Sequence, residues 1–244
     1  DGKELVQLGS LLEIVHAASL LHDDVIDEAE ERRSQPTASK LYGNKTAVLA
    51  GDHLLSSGLK YLNTFGDKGY MQIFTEAIQA LSAAELLQMQ HHFNIKTTAA
   101  THARVVDGKT AVLFQAAGAL VAVMRGKQDF YSSETASLGL MFGRFFQLRD
   151  DYLDYFNAAR LKKKGLQDFT GGVMTRPLLR LLRSTNANEK TALKAAWQSR
   201  LPSAVQSSQQ TVLQLMEKYQ VAVQCASELK VLQQQILAGL TALP

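Results

Sequence analysis

Two short acidic runs are the parts of this chain whose residue types and spacing can do chemistry. Asp23-Asp24-Val25-Ile26-Asp27 closes an apolar stretch of helical pattern, and Asp150-Asp151-Tyr152-Leu153-Asp154 closes a second. Residues four apart share a helix face, so Asp23 and Asp27 align, as do Asp150 and Asp154. Asp24 lies about 100° round the helix from Asp23, near enough to join a shared ion. Three carboxylates placed this tightly repel one another, and the C-terminal end of a helix is the worse end for negative charge. A solvated acidic helix end is the plain reading of either run alone. At an ordinary Asp usage of about 5%, one such triple arises by chance in roughly 3% of chains this long, and two far more rarely. A bound cation relieves the repulsion. Hard carboxylate oxygens, with no His or Cys at ligand spacing, point to Mg²⁺ rather than Zn²⁺. Since Mg²⁺ is commonly shared between carboxylates and substrate phosphates, two opposed clusters predict a phosphate-rich ligand and Lewis-acid help to a departing diphosphate.

Basic residues stand where such a ligand would want them. Arg32-Arg33 follows the first run by one to two turns, and Arg forks suit phosphate oxygens. Lys109-Thr110 opens the apolar stretch Thr110 to Met124, and Lys163 follows the second run. Taken alone, Glu30-Glu31-Arg32-Arg33 is an ordinary solvated face, and Lys109-Thr110 an ordinary helix start.

The elements that position these residues read as helices throughout. Leu5, Leu8, Leu11, Leu12, Val15 and Ser19 form one stripe. A second helix spans roughly Lys68 to Phe93, a third carries Leu113 to Met124, and a fourth carries Phe142 to Leu153. The last forty residues predict a closing helix pair. Breaks are expected at Ser34-Gln35-Pro36, Phe65 to Lys68, Asp107-Gly108, Gly171-Gly172 and Leu201-Pro202. Clean strand alternation is absent. The expectation is an all-α, single-domain helical bundle over residues 1–244, with a beginning that reads as lacking its first helices. The chain has 244 residues, 46% of them hydrophobic, and a formal charge of +3 that supports no nucleic-acid partner. Cys225 is the single cysteine, which excludes an internal disulfide and favours a reducing compartment. No apolar run reaches the eighteen or so residues of a spanning helix, and Thr110 to Met124 is expected to be a buried helix. His91-His92 diverge by about 100° and do not chelate. Met89 and Met174 are expected in the core, Trp197 as an isolated aromatic in a tail helix, and Asp52 in a structural pair.

Leu21 to Ala29, followed by Arg32-Arg33 and Pro36-Thr37, resembles the first aspartate-rich motif of the trans-isoprenyl diphosphate synthases. Gly51-Asp52-His53-Leu54-Leu55, Lys109-Thr110-Ala111, Phe146 to Asp154, and the spaced set Asp168, Gly172, Thr175 and Pro177 resemble later motifs of that family, in order, over roughly residues 4 to 180. The resemblance implies the isoprenoid synthase bundle around a central cavity. It also implies a Mg²⁺-dependent transfer in which an allylic diphosphate condenses with isopentenyl diphosphate. Asp23, Asp24, Asp27, Asp150 and Asp154 would hold three Mg²⁺ ions, with Asp151 in support. Arg32, Lys109 and Lys163 would contact the allylic diphosphate, His16 and Arg33 the isopentenyl diphosphate, and Thr110 and Gln147 the developing allylic cation. Ala18 and Ser19, five and four residues before Asp23, would leave the product path open and predict a product longer than C15. The resemblance further implies a homodimer, in the cytoplasm or peripheral to a membrane that receives the lipid product. Three departures stand out. The upstream Gly-Gly-Lys-x-x-Arg-Pro motif is absent, Gln167 replaces a common Lys while Gly165 precedes Leu166, and Asn157 to Lys164 is a short loop. A regulatory subunit of a two-part synthase and a class I terpene cyclase are the alternatives. The retained second aspartate run argues against the cyclase.

Overall fold

A computed structural model of the chain describes residues 2–156, 166–198 and 202–243. The elements run α1 (Gly2–Ile26), β1 (Glu31–Arg32), β2 (Gln35–Pro36), α2 (Ala38–Tyr42), α3 (Asn44–Leu62), a 3-10 turn (Asn63–Phe65), α4 (Lys68–Gln90) and α5 (Ala99–Val106). A π-helical turn (Asp107–Ala111) leads into α6 (Val112–Met124), followed by α7 (Glu134–Phe156), α8 (Gln167–Thr170), α9 (Arg176–Ser184), α10 (Ala187–Gln198), α11 (Pro202–Lys218) and α12 (Val221–Ala242). The all-α expectation holds. Among the described residues the one sheet is the two-residue antiparallel hairpin β1–β2.

Starts and stops follow local chemistry. Thr37 and Thr98 cap α2 and α5, each accepting from the amide three residues on. Asp67 caps α4 through the Gly69 amide at 2.7 Å, and Gly66 at φ +70 closes the 3-10 turn before it.

The chain divides into two compact units, Asp1–Leu81 with Leu113–Gly139, and Ser82–Val112 with Leu140–Pro244. In the first, α1 packs along α3, burying Leu8, Leu11, Val15 and Ala18 at helical spacing. Leu5, expected on that stripe, is 46% exposed. His22 lies against Gly51 and pairs with Asp52 at 3.2 Å, the structural partner expected for that aspartate. Within the same unit α6 and α7 approach backbone to backbone. A methyl added at Gly118 would strike the Thr135 carbonyl, and one at Gly139 the Phe114 carbonyl.

In the second unit a core forms around Trp197, Phe169, Leu178, Leu181 and Met216. Trp197, expected as an incidental aromatic, is 1% exposed, and its indole N–H donates to the Phe169 carbonyl at 3.2 Å. Met174 is in this core as expected, whereas Met89 is 48% exposed and fills none. Arg176 and Arg180 of α9 both pair with Glu228 of α12, tying those helices together.

The break expected at Asp107-Gly108 does not occur. Gly108 sits inside a π-helical turn, so α5, that turn and α6 run on as one helix from Ala99 to Met124. Lys109 and Thr110 are therefore mid-helix rather than at a start. The continuity also overturns the expectation about apolar length. Two helices, Gly2–Ile26 and Ala99–Met124, are long and apolar enough by length and composition to cross a membrane. Neither is uniformly apolar. The first runs into Asp23 and Asp24, and the second carries Asp107 and Lys109 at its middle.

The α6–α7 contact yields a stability test. Gly118→Ala and Gly139→Ala each push a methyl into a partner carbonyl that belongs to a rigid helix. Each variant is expected to lose about 2 kcal/mol or more in denaturant unfolding, at the upper end for overpacking. A loss under about 0.5 kcal/mol would show that the helices can part without cost.

Candidate active site

In the first aspartate cluster Asp23 and Asp24 lie in the last turn of α1. Asp27 follows just beyond, its amide still bonded to the Asp23 carbonyl at 2.8 Å. The three are not equivalent. Asp27 is exposed and Asp23 half-buried, while Asp24 is 5% exposed and accepts from Arg32 Nε at 2.8 Å. Arg32 is aimed by the β1–β2 hairpin, whose two turn residues, Arg33 at φ +52 and Ser34 at φ +62, are both left-handed. Such a turn suits glycine or asparagine, and holding Arg and Ser there costs about 1 kcal/mol or more each. Arg33 is exposed at the tip. His16 is exposed on α1, two residues before Ala18, which is buried. Ser19 is half-buried with its hydroxyl turned back to the His16 carbonyl at 2.8 Å.

The second cluster occupies the last turns of α7. Asp150 is exposed. Asp154 accepts from the amides of Gln167 at 3.1 Å and Asp168 at 3.2 Å, the first turn of α8. Asp151 is 2% exposed. Its Oδ1 accepts from Gln147 Nε2 at 2.8 Å, its Oδ2 accepts from the Arg176 amide at 3.0 Å, and His102 Nε2 stands 3.8 Å from that same oxygen. Gln147 Oε1 in turn accepts from the Thr110 hydroxyl at 2.7 Å. The π-helical turn carries both Lys109 and Thr110, and such turns re-aim side chains at functional sites. Lys109 Nζ meets the buried Glu85 Oε2 at 2.5 Å, off the line of a hydrogen bond. Thus Thr110, Gln147 and Asp151 come together, with Lys109 on the same helical turn as Thr110. Lys163 and the Asn157–Lys164 loop lie outside the described residues.

Two contributors are missing from the sequence reading of site residues. Asp168 belongs to a downstream motif, yet nothing in its spacing predicts that α8 folds back onto α7. In the structure its carboxyl is pushed up to about 8, chiefly by burial and then by Asp151, Asp154 and Asp150, with Lys109 acting the other way. Asp154 is raised as well, chiefly by burial. Glu85, the partner of Lys109, stands in an unremarkable Ala-Ala-Glu-Leu-Leu stretch. Its signal is being the one charged residue between Glu76 and Lys96 apart from histidines.

The residues fit a hard divalent cation. Several carboxylates crowd one place, and one of them, Asp168, is pushed up to about 8 by burial and its acidic neighbours, a cost that added positive charge relieves. Among the described residues no three His, Cys, Asp or Glu side chains close into a cage. Mg²⁺ completes its shell with waters and substrate phosphates and so takes few ligands from the protein itself.

A family model described as Polyprenyl synthetase matches residues 1–216. The chain belongs to the polyprenyl synthetase family. It is 32% identical to the octaprenyl diphosphate synthase of Haemophilus influenzae over 197 residues, covering 80% of this chain and 60% of that protein. The chain thus spans about 60% of the length of the octaprenyl diphosphate synthases it matches. A decaprenyl diphosphate synthase structure from Rhodobacter capsulatus superposes with a TM-score of 0.89 at 29% identity, over 98% of this chain and 73% of that one. A polyprenyl synthase from Caulobacter crescentus, solved with calcium and isoprenyl diphosphate, gives 0.84 at 26% identity, over 98% and 72%. The polyprenyl synthetase fold is therefore shared over nearly the whole chain.

The raised Asp168 carboxyl sets a pH test. In metal-free protein the folded state keeps the Asp168 proton up to about pH 8, whereas the unfolded chain releases it near the ordinary aspartate value of 3.8. Between those values the native state binds more protons, so stability falls as pH rises. Asp168→Asn cannot ionise and removes that slope. In chelator, the variant should melt above the wild type by a margin that widens from pH 5 to pH 8. A constant margin would show that Asp168 is ionised throughout.

Proposed function

We propose that this polyprenyl synthetase is a Mg²⁺-dependent prenyl transferase that condenses an allylic diphosphate with isopentenyl diphosphate into a longer trans-polyprenyl diphosphate. The observation that carries the reading is the crowding of Asp150, Asp151, Asp154 and Asp168 near Lys109, an excess of carboxylate that calls for cations, beside a lysine suited to phosphate. The relatives named octaprenyl and decaprenyl diphosphate synthase, and the relative solved with calcium and isoprenyl diphosphate, support it.

Asp23, Asp24, Asp27, Asp150 and Asp154 are the residues that would hold Mg²⁺, three ions with substrate present, and Asp168 adds a further carboxylate. Mg²⁺ there would neutralise the diphosphate as it leaves. The chain's own groups do the rest. Lys109, Arg32 and Lys163 bind the allylic diphosphate. Arg32 is engaged with Asp24 through Nε, and it offers its Nη groups. Arg33 and His16, both exposed, bind the isopentenyl diphosphate. Thr110 and Gln147 face the allylic cation with oxygen lone pairs, and the released diphosphate takes the final proton, so no side-chain base is needed. The same reading includes a homodimer working in the cytoplasm, where a free, buried Cys225 stays reduced, and handing its lipid product to a membrane.

Activity is expected to require Mg²⁺ or Mn²⁺ and to vanish with chelator. Asp23→Ala and Asp150→Ala should each lower kcat by at least about a hundredfold, because cations at these residues act on charge that develops in the transition state. Near-normal turnover in either variant would sink the assignment. A chain that is inactive alone but raises the turnover of a second subunit would be the regulatory partner instead.

Product length gives a separate test. Ala18 is 2% exposed, one turn before Asp23. With farnesyl diphosphate as primer, wild-type product should extend beyond C15, and Ala18→Phe should shorten it while leaving primer KM within about threefold. Unchanged chain length would mean that Ala18 only allows close helix packing.

A further inference from the structure

We propose that Asp151 is a positioning residue rather than a metal-holding one, and that its buried charge fixes which way the Gln147 amide and the Thr110 hydroxyl point. The functional weight of this inference rests on the prenyl-transfer reading above, but its structural content does not.

The three aspartates of the second cluster share one helix and meet three environments. Asp150 is exposed, Asp154 is half-buried, and Asp151 is 2% exposed. A carboxylate buried so deeply needs its oxygens satisfied from within the protein. Asp151 has that. Gln147 Nε2 donates to Oδ1 at 2.8 Å, the Arg176 amide donates to Oδ2 at 3.0 Å, and His102 Nε2 stands 3.8 Å from Oδ2. The Arg176 amide opens α9, whose positive end favours an anion there. Both oxygens are turned inward onto these donors, and at 2% exposure a hydrated cation has little access to either from solvent.

The charge also sets direction. An ionised carboxylate only accepts, so the side of Gln147 that faces Asp151 carries the NH₂ group. Its carbonyl oxygen then faces Thr110, and the Thr110 hydroxyl has no choice but to donate to it, at 2.7 Å. With its proton committed to Gln147, Thr110 Oγ1 presents only lone pairs to its remaining surroundings. An oxygen locked as an acceptor stabilises a developing allylic cation, whereas a hydroxyl free to rotate its proton outward opposes one. Gln147 thus acts by facing the reacting region, and Asp151 acts through Gln147.

The polarity of the relay can be reversed without losing a bond. In Gln147→Glu combined with Asp151→Asn, Thr110 still donates to residue 147, the new amide at 151 donates to the new carboxylate at 147, and its carbonyl still accepts from the Arg176 amide. Net charge is unchanged. Asp151→Asn alone lets the Gln147 amide flip: the new amide then donates to Gln147, the Gln147 NH₂ faces Thr110, and the Thr110 proton is freed to rotate outward.

The experiment compares wild type, Asp151→Asn, Gln147→Glu, the double variant and Asp150→Asn. Melting temperatures are read with and without Mg²⁺ plus inorganic diphosphate, together with the Mg²⁺ concentration at half-maximal turnover. We expect Asp151→Asn to lower kcat by about tenfold or more, and Gln147→Glu, which sets two carboxylates face to face, to lower the melting temperature. The Mg²⁺ half-saturation of Asp151→Asn should stay within about twofold of wild type. The double variant should regain most of the melting temperature and part of kcat. Asp150→Asn should fold normally and lose the stabilisation by Mg²⁺ and diphosphate. The proposal is overturned if Asp151→Asn raises the Mg²⁺ requirement as Asp150→Asn does, or if the double variant is no more stable than the sum of the single losses predicts. Failure of the double variant to fold overturns it as well. A wild type without turnover would refute the prenyl-transfer reading alone, because the melting-temperature cycle still decides the role of Asp151.

Discussion

Repulsion among carboxylates at the end of α7 is the constraint around which the second unit is arranged. Each negative charge there is handled differently. Asp151 is sunk into the protein and met by an amide side chain, a helix N-terminus and a nearby imidazole. Asp154 rests on the first amides of α8. Asp150 stays at the surface, and Asp168 holds its proton in the absence of a cation. These solutions depend on α8 and α9 being where they are, and apolar packing puts them there. Trp197 pins Phe169 next to Asp168, and Glu228 clamps both arginines of α9. The core behind the site is the backing that lets like charges stay close.

The first cluster answers the same problem with a cation of the protein's own. Asp24, the buried member, is neutralised by Arg32, which a hairpin with two left-handed, non-glycine residues delivers. Strain in that turn is tolerable because the buried ion pair and the Thr37 bond to the Ala29 carbonyl hold the hairpin closed. The Arg32 guanidinium is thereby held in one orientation by a carboxylate.

Much of this was legible in the sequence because it is written in local pattern. The helices around Leu8 to Val15 and Lys68 to Gln90, the two aspartate runs, and the pairing of Asp52 all follow from spacing and residue type. What escaped was decided by tertiary contact. Gly108 looks like a stop signal, but flanking helices that pack on either side carry the chain through it as a π-helical turn. Trp197 looks incidental because burial on all sides leaves no periodic trace in a polar stretch. Asp168 and Glu85 gain their meaning from partners across more than ten residues, Asp154 and Lys109, which spacing along one helix cannot show. Met89, read as core from its chemistry alone, faces outward because its helix turns that side away from the packing.

The π-helical turn also decides how this stretch of chain tolerates change in length. It is in effect one surplus residue accommodated without breaking the helix. Downstream, Gly118 and Gly139 fix where α6 touches α7, and Thr110 meets Gln147 two turns earlier on the same helix. Removing a single residue from 107–111 would let the turn relax to ordinary α geometry and rotate the helix before the deletion by about 100° relative to the helix after it. Asp107 would then leave Arg144. The length of this five-residue turn is therefore set by the contacts that the helix makes on either side of it.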